Sequence, residues 1–392
     1  MKSWYDEVIK LLDEDKAVDI LKHSLQMDTT NPPGSEKVLA QYLADVLNSF
    51  GLKSHIDDLG NERGNVVGCI PGSGEKKGLL LNGHLDVVPP GAQAWTYGPF
   101  SGVIDAGKLY GRGASDMKSG LAALVVAAGL IAQAGVPLKG DLLITGTAGE
   151  EADSLGAKDL LTRGYLQNIG AAIIGEPSLL KLFAATKGAL WLEFTTVGKT
   201  AHGSMPECGA NAVLMMNAII NKLVHYSFQY SPHPLLGEPS MNIATIQGGV
   251  KTNVVPDSCK LTVDIRTVPG QDHSQIINDI QKILDELEQT NPDFKASFTV
   301  LNNRAPVETN PEAEIIQMSI QEAKTTLGIE LKPCGVKYYT DASVFVPALD
   351  IPVLILGPGD ETMAHQPNEY VEIKDYIAAI KLYVAVILRY LM

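Results

Sequence analysis

The sequence predicts an α/β protein in which a largely parallel mixed sheet, flanked by helices, is interrupted by an inserted ferredoxin-like α+β domain. Three observations carry this reading. Apolar runs of strand length alternate with helical stretches between residues 65 and 174, the pattern of parallel strands covered on both faces. From Ala189 the order becomes β-α-β-β-α-β and closes on itself within about 110 residues. A chain of 392 residues also exceeds one ordinary core. The expected divisions are 1–188 and 304–392 for the sheet domain and 189–303 for the insert.

Taken in order, residues from Ser3 to Met27 have helical spacing, with Trp4, Val8, Leu11 and Leu12 on one side, and Thr30-Asn31-Pro32-Pro33-Gly34 turns the chain. A helix over Glu36–Phe50 ends at Gly51, a residue suited to the left-handed position after a helix. Strands follow at Asn65–Ile70 and Gly78–Leu81, separated by Pro71-Gly72-Ser73-Gly74. A long loop, Pro89–Gly113, leads to the apolar helix around Leu121–Val136. Strand Asp141–Thr147, helix Gly156–Leu166 and strand Ala171–Ile174 continue the alternation. The insert reads as strand Leu190–Val197, helix Asn211–Tyr226, strands Met241–Gln247 and Cys259–Arg266, helix His273–Gln289 and strand Phe294–Leu301. The chain returns through helix Pro311–Leu327, strand Val353–Leu356 and helix Ile373–Leu391.

Net charge is −14, from 31 Lys+Arg against 45 Asp+Glu, with no basic block, which argues against nucleic acid and anionic membranes as partners. The four cysteines contain no Cys-x-x-Cys pair, so free thiols in a reducing compartment are expected. The amphipathic, acidic N-terminus is unlike a signal peptide, and Leu121–Val136 falls short of the roughly 20 residues a bilayer needs. A cytoplasmic location is the expectation.

Acids and histidines cluster after the apolar strands. His84 and Asp86 end LLLNGHLDVVP, Asp116 lies in GRGASDMK, Glu150 and Glu151 follow DLLITGTAG, Glu176 follows AAIIG, and His365 follows VLILGPGDETMA. Ligands of open α/β sheets bind beyond the carboxyl ends of the strands, so these residues should converge at one edge. Nitrogen and oxygen donors of this kind suit zinc, with cobalt or manganese as substitutes. Two ions about 3.5–4 Å apart need a shared carboxylate, for which Asp116 is the candidate. Side chains of the adjacent Glu150 and Glu151 diverge, so one can reach a metal while the other takes a proton from water. Asp86, two residues beyond His84, can hydrogen-bond the far nitrogen of its ring. Ser178 and Ser204 lack a triad context, and no Gly-Lys-Ser/Thr follows the glycines of GRGASDMK.

The segments GHLDVVP, GRGASDMKSG, AGEE, GEPS, AHGSMPECGANA, GGVKTNVVPD, DIRTVPG and GPGDETMAHQPNEY, in a match spanning Asn31 to Tyr370, resemble the acetylornithine deacetylase / succinyl-diaminopimelate desuccinylase family of co-catalytic zinc hydrolases, of the aminoacylase and carboxypeptidase G type. The resemblance implies two Zn2+ per subunit, one held by His84, Asp116 and Glu176 and the other by His365, Asp116 and Glu151. It further implies that Asp86 orients His84, that Glu150 is the general base, and that a cis peptide follows Asp116. The insert would be a lid through which a homodimer forms. His202 would then reach the partner's site to stabilise the oxyanion, while Asn253 and Arg266 bind substrate. The implied reaction is hydrolysis of the amide of an N-acylated amino acid. The leading substrate is N-succinyl-LL-diaminopimelate, cleaved to succinate and LL-diaminopimelate in lysine biosynthesis, with acetylornithine or a dipeptide as alternatives. The segment Tyr338–Ser343 departs from the desuccinylase loop that would line the substrate pocket. A non-catalytic amino-acid-binding protein with this fold would be expected to have lost a ligand or the base, and all are present.

Overall fold

Runs of Leu, Ile and Val without an alternating polar face must be covered on both sides, and four of them form the parallel centre of a sheet. The computed structural model describes residues 2–392. The chain divides into two units: one extends to Ala184 and resumes over Glu308–Gly335 and Thr340–Met392, and the other comprises Ala185–Val307 with Val336–Tyr339.

In the first unit the strand order is Ser54–Gly60, Arg63–Ile70, Leu142–Thr147, Gly78–His84, Ile169–Ile174, Val353–Ile355 and Leu182–Thr186. The four strands from Leu142–Thr147 to Val353–Ile355 are mutually parallel, and the strands outside them are antiparallel. The register sets His84 opposite Thr147 and Asn82 opposite Ile174, so the strands end nearly in step.

Helix Lys118–Gln133 is apolar around its whole circumference and buried from Lys118 through Ile131. It packs on strand Gly78–His84 and against helices Glu14–Gln26 and Ile373–Leu391. Its first turn approaches the sheet so closely that a methyl group on Gly120 would overlap the carbonyl oxygen of Gly175.

Several elements differ from expectation. The N-terminal helical stretch is two helices, Lys2–Ile9 and Glu14–Gln26, because the Asp13 side chain accepts from Lys16 N–H and restarts the helix. The loop 89–113 contains strands Val103–Asp105 and Lys108–Tyr110, which form a small sheet with Tyr370–Glu372. Strand Ser54–Gly60 pairs with Arg63–Ile70 although its sequence, SHIDDLG, is mostly polar.

The second unit has the order strand Gly188–Val197, helix Ala212–Val224, strands Ser240–Gly248 and Ser258–Thr267, helix His273–Thr290 and strand Ala296–Arg304. Its sheet is wholly antiparallel, with spatial order Ser240–Gly248, Ser258–Thr267, Gly188–Val197, Ala296–Arg304, the ferredoxin-like arrangement. Leu190, Leu192, Phe194, Leu261, Val263 and Ile265 meet Met216, Ile219, Ile276 and Ile280 of the two helices in a separate core. Asn211 and Asp272 cap those helices, accepting from Val213 N–H and Ser274 N–H. All four cysteines are free, and among the described residues no helix is long and apolar enough to cross a membrane.

Alanine is a better helix former than glycine by about 1 kcal/mol, so a loss of stability on Gly120→Ala reports the overlap with Gly175. We expect urea denaturation to register a loss of about 2 kcal/mol or more. An unchanged midpoint would show that helix and sheet can separate at this point without cost.

Candidate metal centre

The parallel strands deliver their side chains to one edge. His84 is the last residue of its strand, Glu150 and Glu151 follow Leu142–Thr147, and Glu176 follows Ile169–Ile174. His365 lies in the loop after Val353–Ile355, and Asp116 stands two residues before the start of helix Lys118–Gln133, separated from it by the N-cap residue Met117. The Asp116–Met117 peptide is cis.

Asp116 stands between the two histidines. Its Oδ1 is 3.1 Å from His84 Nε2 and its Oδ2 is 3.4 Å from His365 Nε2. Glu176 Oε1 lies 3.8 Å from His84 Nε2, and Glu151 Oε1 lies 3.1 Å from His365 Nε2. Glu150 is buried beside them, with a carboxylate oxygen within 4.8 Å of the ligand atoms of His84 and Glu176. Its Oε1 is shut off from solvent and has no hydrogen-bond partner among the described residues.

The backbone around these groups is tightly held. Asp86 Oδ1 accepts from Gly149 N–H (3.0 Å) and Glu150 N–H (3.1 Å), and Oδ2 accepts from Glu151 N–H (3.2 Å) and Asn31 Nδ2 (2.9 Å). The Asp86 carboxylate therefore grips the loop carrying both glutamates. It stays 3.6 Å from His84 Nδ1, which instead pairs at 2.9 Å with the Asp86 backbone carbonyl. This differs from the expected carboxylate–imidazole bond: a main-chain oxygen two residues away reaches the ring first and leaves the carboxylate for three backbone donors.

Asp341, to which the sequence reading gave no role, is buried beneath the site. Its Oδ2 accepts from Thr147 Oγ1 (2.6 Å) and Asn82 Nδ2 (3.3 Å). The only sequence signal was its place in the divergent segment Tyr338–Ser343. Arg112 and Glu369 were also passed over, although both lie inside the quoted motifs.

Burial and mutual charge shift the titration of the two histidines and of Asp116, Glu150, Glu151 and Glu176. Burial, then the charge of Glu176, pushes the Glu150 carboxyl well above the usual range. Burial raises Glu176 in the same way, opposed by His84. Burial also opposes ionisation of Asp116, but hydrogen bonds from His365 and His84 outweigh it and hold the carboxyl well below normal. Hydrogen bonds to Asp116 and Glu151 push His365 up to about 10. Burial would lower His84, yet Glu176 and Asp116 outweigh it and raise the ring well above its ordinary value.

The residues fit divalent cations. Asp116, Glu150, Glu151 and Glu176 share the space with only two imidazoles, so if all ionise, negative charge remains in excess even with both rings charged. The donors are nitrogen and oxygen, and one carboxylate faces both histidines, as a dinuclear site needs.

His202, Asn253 and Arg266 belong to the second unit. His202 forms an isolated bridge with Val254, next to Asn253, whose carbonyl accepts from Gly203 N–H. The ring nitrogen Nδ1 of His202 accepts from Ser204 N–H at 3.2 Å, which leaves Nε2 to carry the proton. Arg266 Nε pairs with Asp264 Oδ1 at 2.9 Å, and its guanidinium lies over the Tyr339 ring.

Residues 80–389 match peptidase family M20/M25/M40. A probable succinyl-diaminopimelate desuccinylase of Staphylococcus aureus is 31% identical, with 96% of this chain and 98% of that protein covered. An acetylornithine deacetylase of Myxococcus xanthus is 33% identical over 91% of this chain and 93% of its own. Among solved structures, an M20 family metallo-carboxypeptidase from Sulfolobus solfataricus superposes with a TM-score of 0.80 at 21% identity, covering 97% of this chain and 99% of that one. A sheet edge that gathers two histidines and four carboxylates thus coincides with a match over most of the sequence: the chain belongs to peptidase family M20/M25/M40 and is an enzyme.

Proposed function

We propose that the protein hydrolyses the amide bond of an N-acylated amino acid, with N-succinyl-LL-diaminopimelate as substrate and succinate and LL-diaminopimelate as products. The observation that carries the reaction class is the shared carboxylate of Asp116 between two histidines, with the unpartnered Glu150 Oε1 beside them. The desuccinylase relative, aligned over nearly the whole chain, supports the substrate, and the acetylornithine deacetylase relative makes acetylornithine the second reading.

In this reading His84, Asp116 and Glu176 hold one zinc ion, and His365, Asp116 and Glu151 hold the other. Bound there, two such ions supply Lewis acidity that acidifies water and polarises an acyl carbonyl. Glu150, as the carboxylate, takes the proton of the attacking water as the water adds to the carbonyl carbon. Glu150 holds that proton until the amide nitrogen collects it and leaves as the free amine. Asp86 fixes the Glu150–Glu151 backbone through its hydrogen bonds. His202 offers its Nε2–H to the developing oxyanion. Arg266 binds a substrate carboxylate with its planar fork, and Asn253 adds a polar contact.

His202 acts across a homodimer formed by the second unit, in this reading. Leu214 and Val224 on helix Ala212–Val224 are each 65% exposed, and Ile246 on strand Ser240–Gly248 is 56% exposed. That strand ends its sheet and offers an unpaired row of backbone groups. Light scattering should return two chains, and a monomer with full turnover would remove His202 from a role in trans.

Turnover of N-succinyl-LL-diaminopimelate, acetylornithine and a dipeptide by the zinc-loaded protein tests the substrate, with the succinyl amide expected to lead. A clear preference for either of the others would replace it. In the same assay Glu150→Gln should lower kcat by at least about a thousandfold while both ions stay bound. Near-normal turnover would eliminate Glu150 as the base.

Zinc uptake should release protons. His365, at about 10, is charged at pH 7 in the ion-free protein, whereas a metal takes the neutral ring. Apparent affinity should therefore weaken as pH falls. Calorimetry in buffers of different ionisation enthalpy should detect at least one proton released, and none would contradict the ligand role of His365.

A further inference from the structure

We propose that Arg112 and Glu369 are a positioning pair that sets Asp116 and His365 against each other, an inference that rests on the dinuclear reading above. Both are fully buried, Arg112 at 1% exposure and Glu369 at 0%. Glu369 Oε1 accepts from the backbone N–H of Ser115 at 2.8 Å and of Asp116 at 2.9 Å. Its Oε2 takes Arg112 Nη1 at 2.6 Å. The same guanidinium donates to the carbonyls of His365 (3.2 Å), Gln366 (3.2 Å) and Pro89 (3.4 Å).

One ion pair thus joins two loops that are distant in sequence, each ending in a residue that faces the other across the site. Two further bonds run beside it: Ser115 Oγ donates to the Tyr370 carbonyl at 2.7 Å, and Gly111 N–H donates to the Glu369 carbonyl at 3.0 Å. His365 has φ 64°, a backbone region that residues other than glycine seldom occupy, and Arg112 holds the carbonyl of that residue. The indole of Trp95 covers the guanidinium at 5.1 Å.

A buried ion pair is a poor source of net stability, because desolvating two charges offsets their attraction. Its geometry is worth more. Carboxylate and guanidinium are planar and accept or donate in fixed directions, so they fix where the backbone nitrogen of Asp116 and the backbone oxygen of His365 stand. The side chains that carry Oδ2 and Nε2 start from those two points. Neither Arg112 nor Glu369 touches the reacting atoms.

The test is metal binding by the 392-residue chain, read by competition with a chromophoric chelator and by the d–d absorption of Co2+. In Glu369→Gln both binding steps should weaken, because Asp116 serves both ions, but the step assigned to His365 and Glu151 should fall further, 10- to 100-fold, because the link through Arg112 reaches His365 alone. The Co2+ spectrum of the weakened site should shift. A merely structural role would lower the thermal midpoint and leave the ratio of the two steps unchanged, and that result overturns the proposal. If Glu369→Gln does not fold, Arg112→Lys serves: an ammonium can keep the ion pair but cannot span three carbonyls, so the same split is expected and an unsplit titration overturns it. The wild-type titration is the separate check on the dinuclear reading. Fewer than two ions there removes that reading and this proposal with it.

Discussion

Four carboxyl groups and two imidazoles are gathered at the edge of a parallel sheet, mostly out of water, with ligand atoms of His84, Glu150 and Glu176, and of His84, Asp116 and Glu151, within 4.8 Å of one another. Like charges at this spacing repel, and burial penalises each ionised form. Left to themselves the groups would part or take up protons, which is the direction in which Glu150, Glu151 and Glu176 are driven. What keeps them together is the backbone. Strands ending in step fix His84, Glu150, Glu151 and Glu176, and buried side chains clamp the loops.

Two carboxylates supply most of that clamping, and neither makes its main contacts with an imidazole. Asp86 binds three consecutive N–H groups, of Gly149, Glu150 and Glu151. Glu369 binds two consecutive N–H groups, of Ser115 and Asp116. Each clamp is itself a carboxyl group close to a site already rich in them, and burial raises the Glu369 carboxyl to about 7 against the backbone hydrogen bond and the Arg112 charge that oppose it. Glu369 balances its charge with Arg112, whereas Asp86 relies on hydrogen bonds from neutral donors. Asp341 adds a further charge near Glu150 and Glu176 and contributes, after burial, to the raised proton affinity of both.

Much of this was legible in the sequence, and for a physical reason. Strands buried on both faces need continuous apolar runs, so LLLNGH, DLLITGT and AAII announce themselves, and the acids and histidines that follow stand out against them. The alternating pattern of the second unit was equally plain. Strand Ser54–Gly60 was not, because its stability comes from pairing with Arg63–Ile70 rather than from its own side chains. Strands Val103–Asp105 and Lys108–Tyr110 were hidden in the same way, since their partner Tyr370–Glu372 lies far along the chain. The work of Asp86 was misread because periodicity locates a side chain on a face but says nothing of which donors meet it. Asp341 and Arg112 went unassigned since their partners come from distant segments.

In the proposed reading the roles are divided between the two units of the chain. The groups able to move protons and hold ions all lie in the first, while Arg266, Asn253 and His202, the residues read as contacting substrate, lie in the second. Relatives with different named substrates, a desuccinylase and a deacetylase, align with nearly the whole chain at similar identity. A cluster of ion ligands responds to the amide being cleaved, which those substrates share. In the proposed reading Arg266 meets a carboxylate, which they also share. Discrimination must therefore come from groups that meet the acyl tail or the far end of the amino acid, and differences there alter only a few side chains. Overall similarity is for that reason a strong guide to the reaction and a weak one to the substrate.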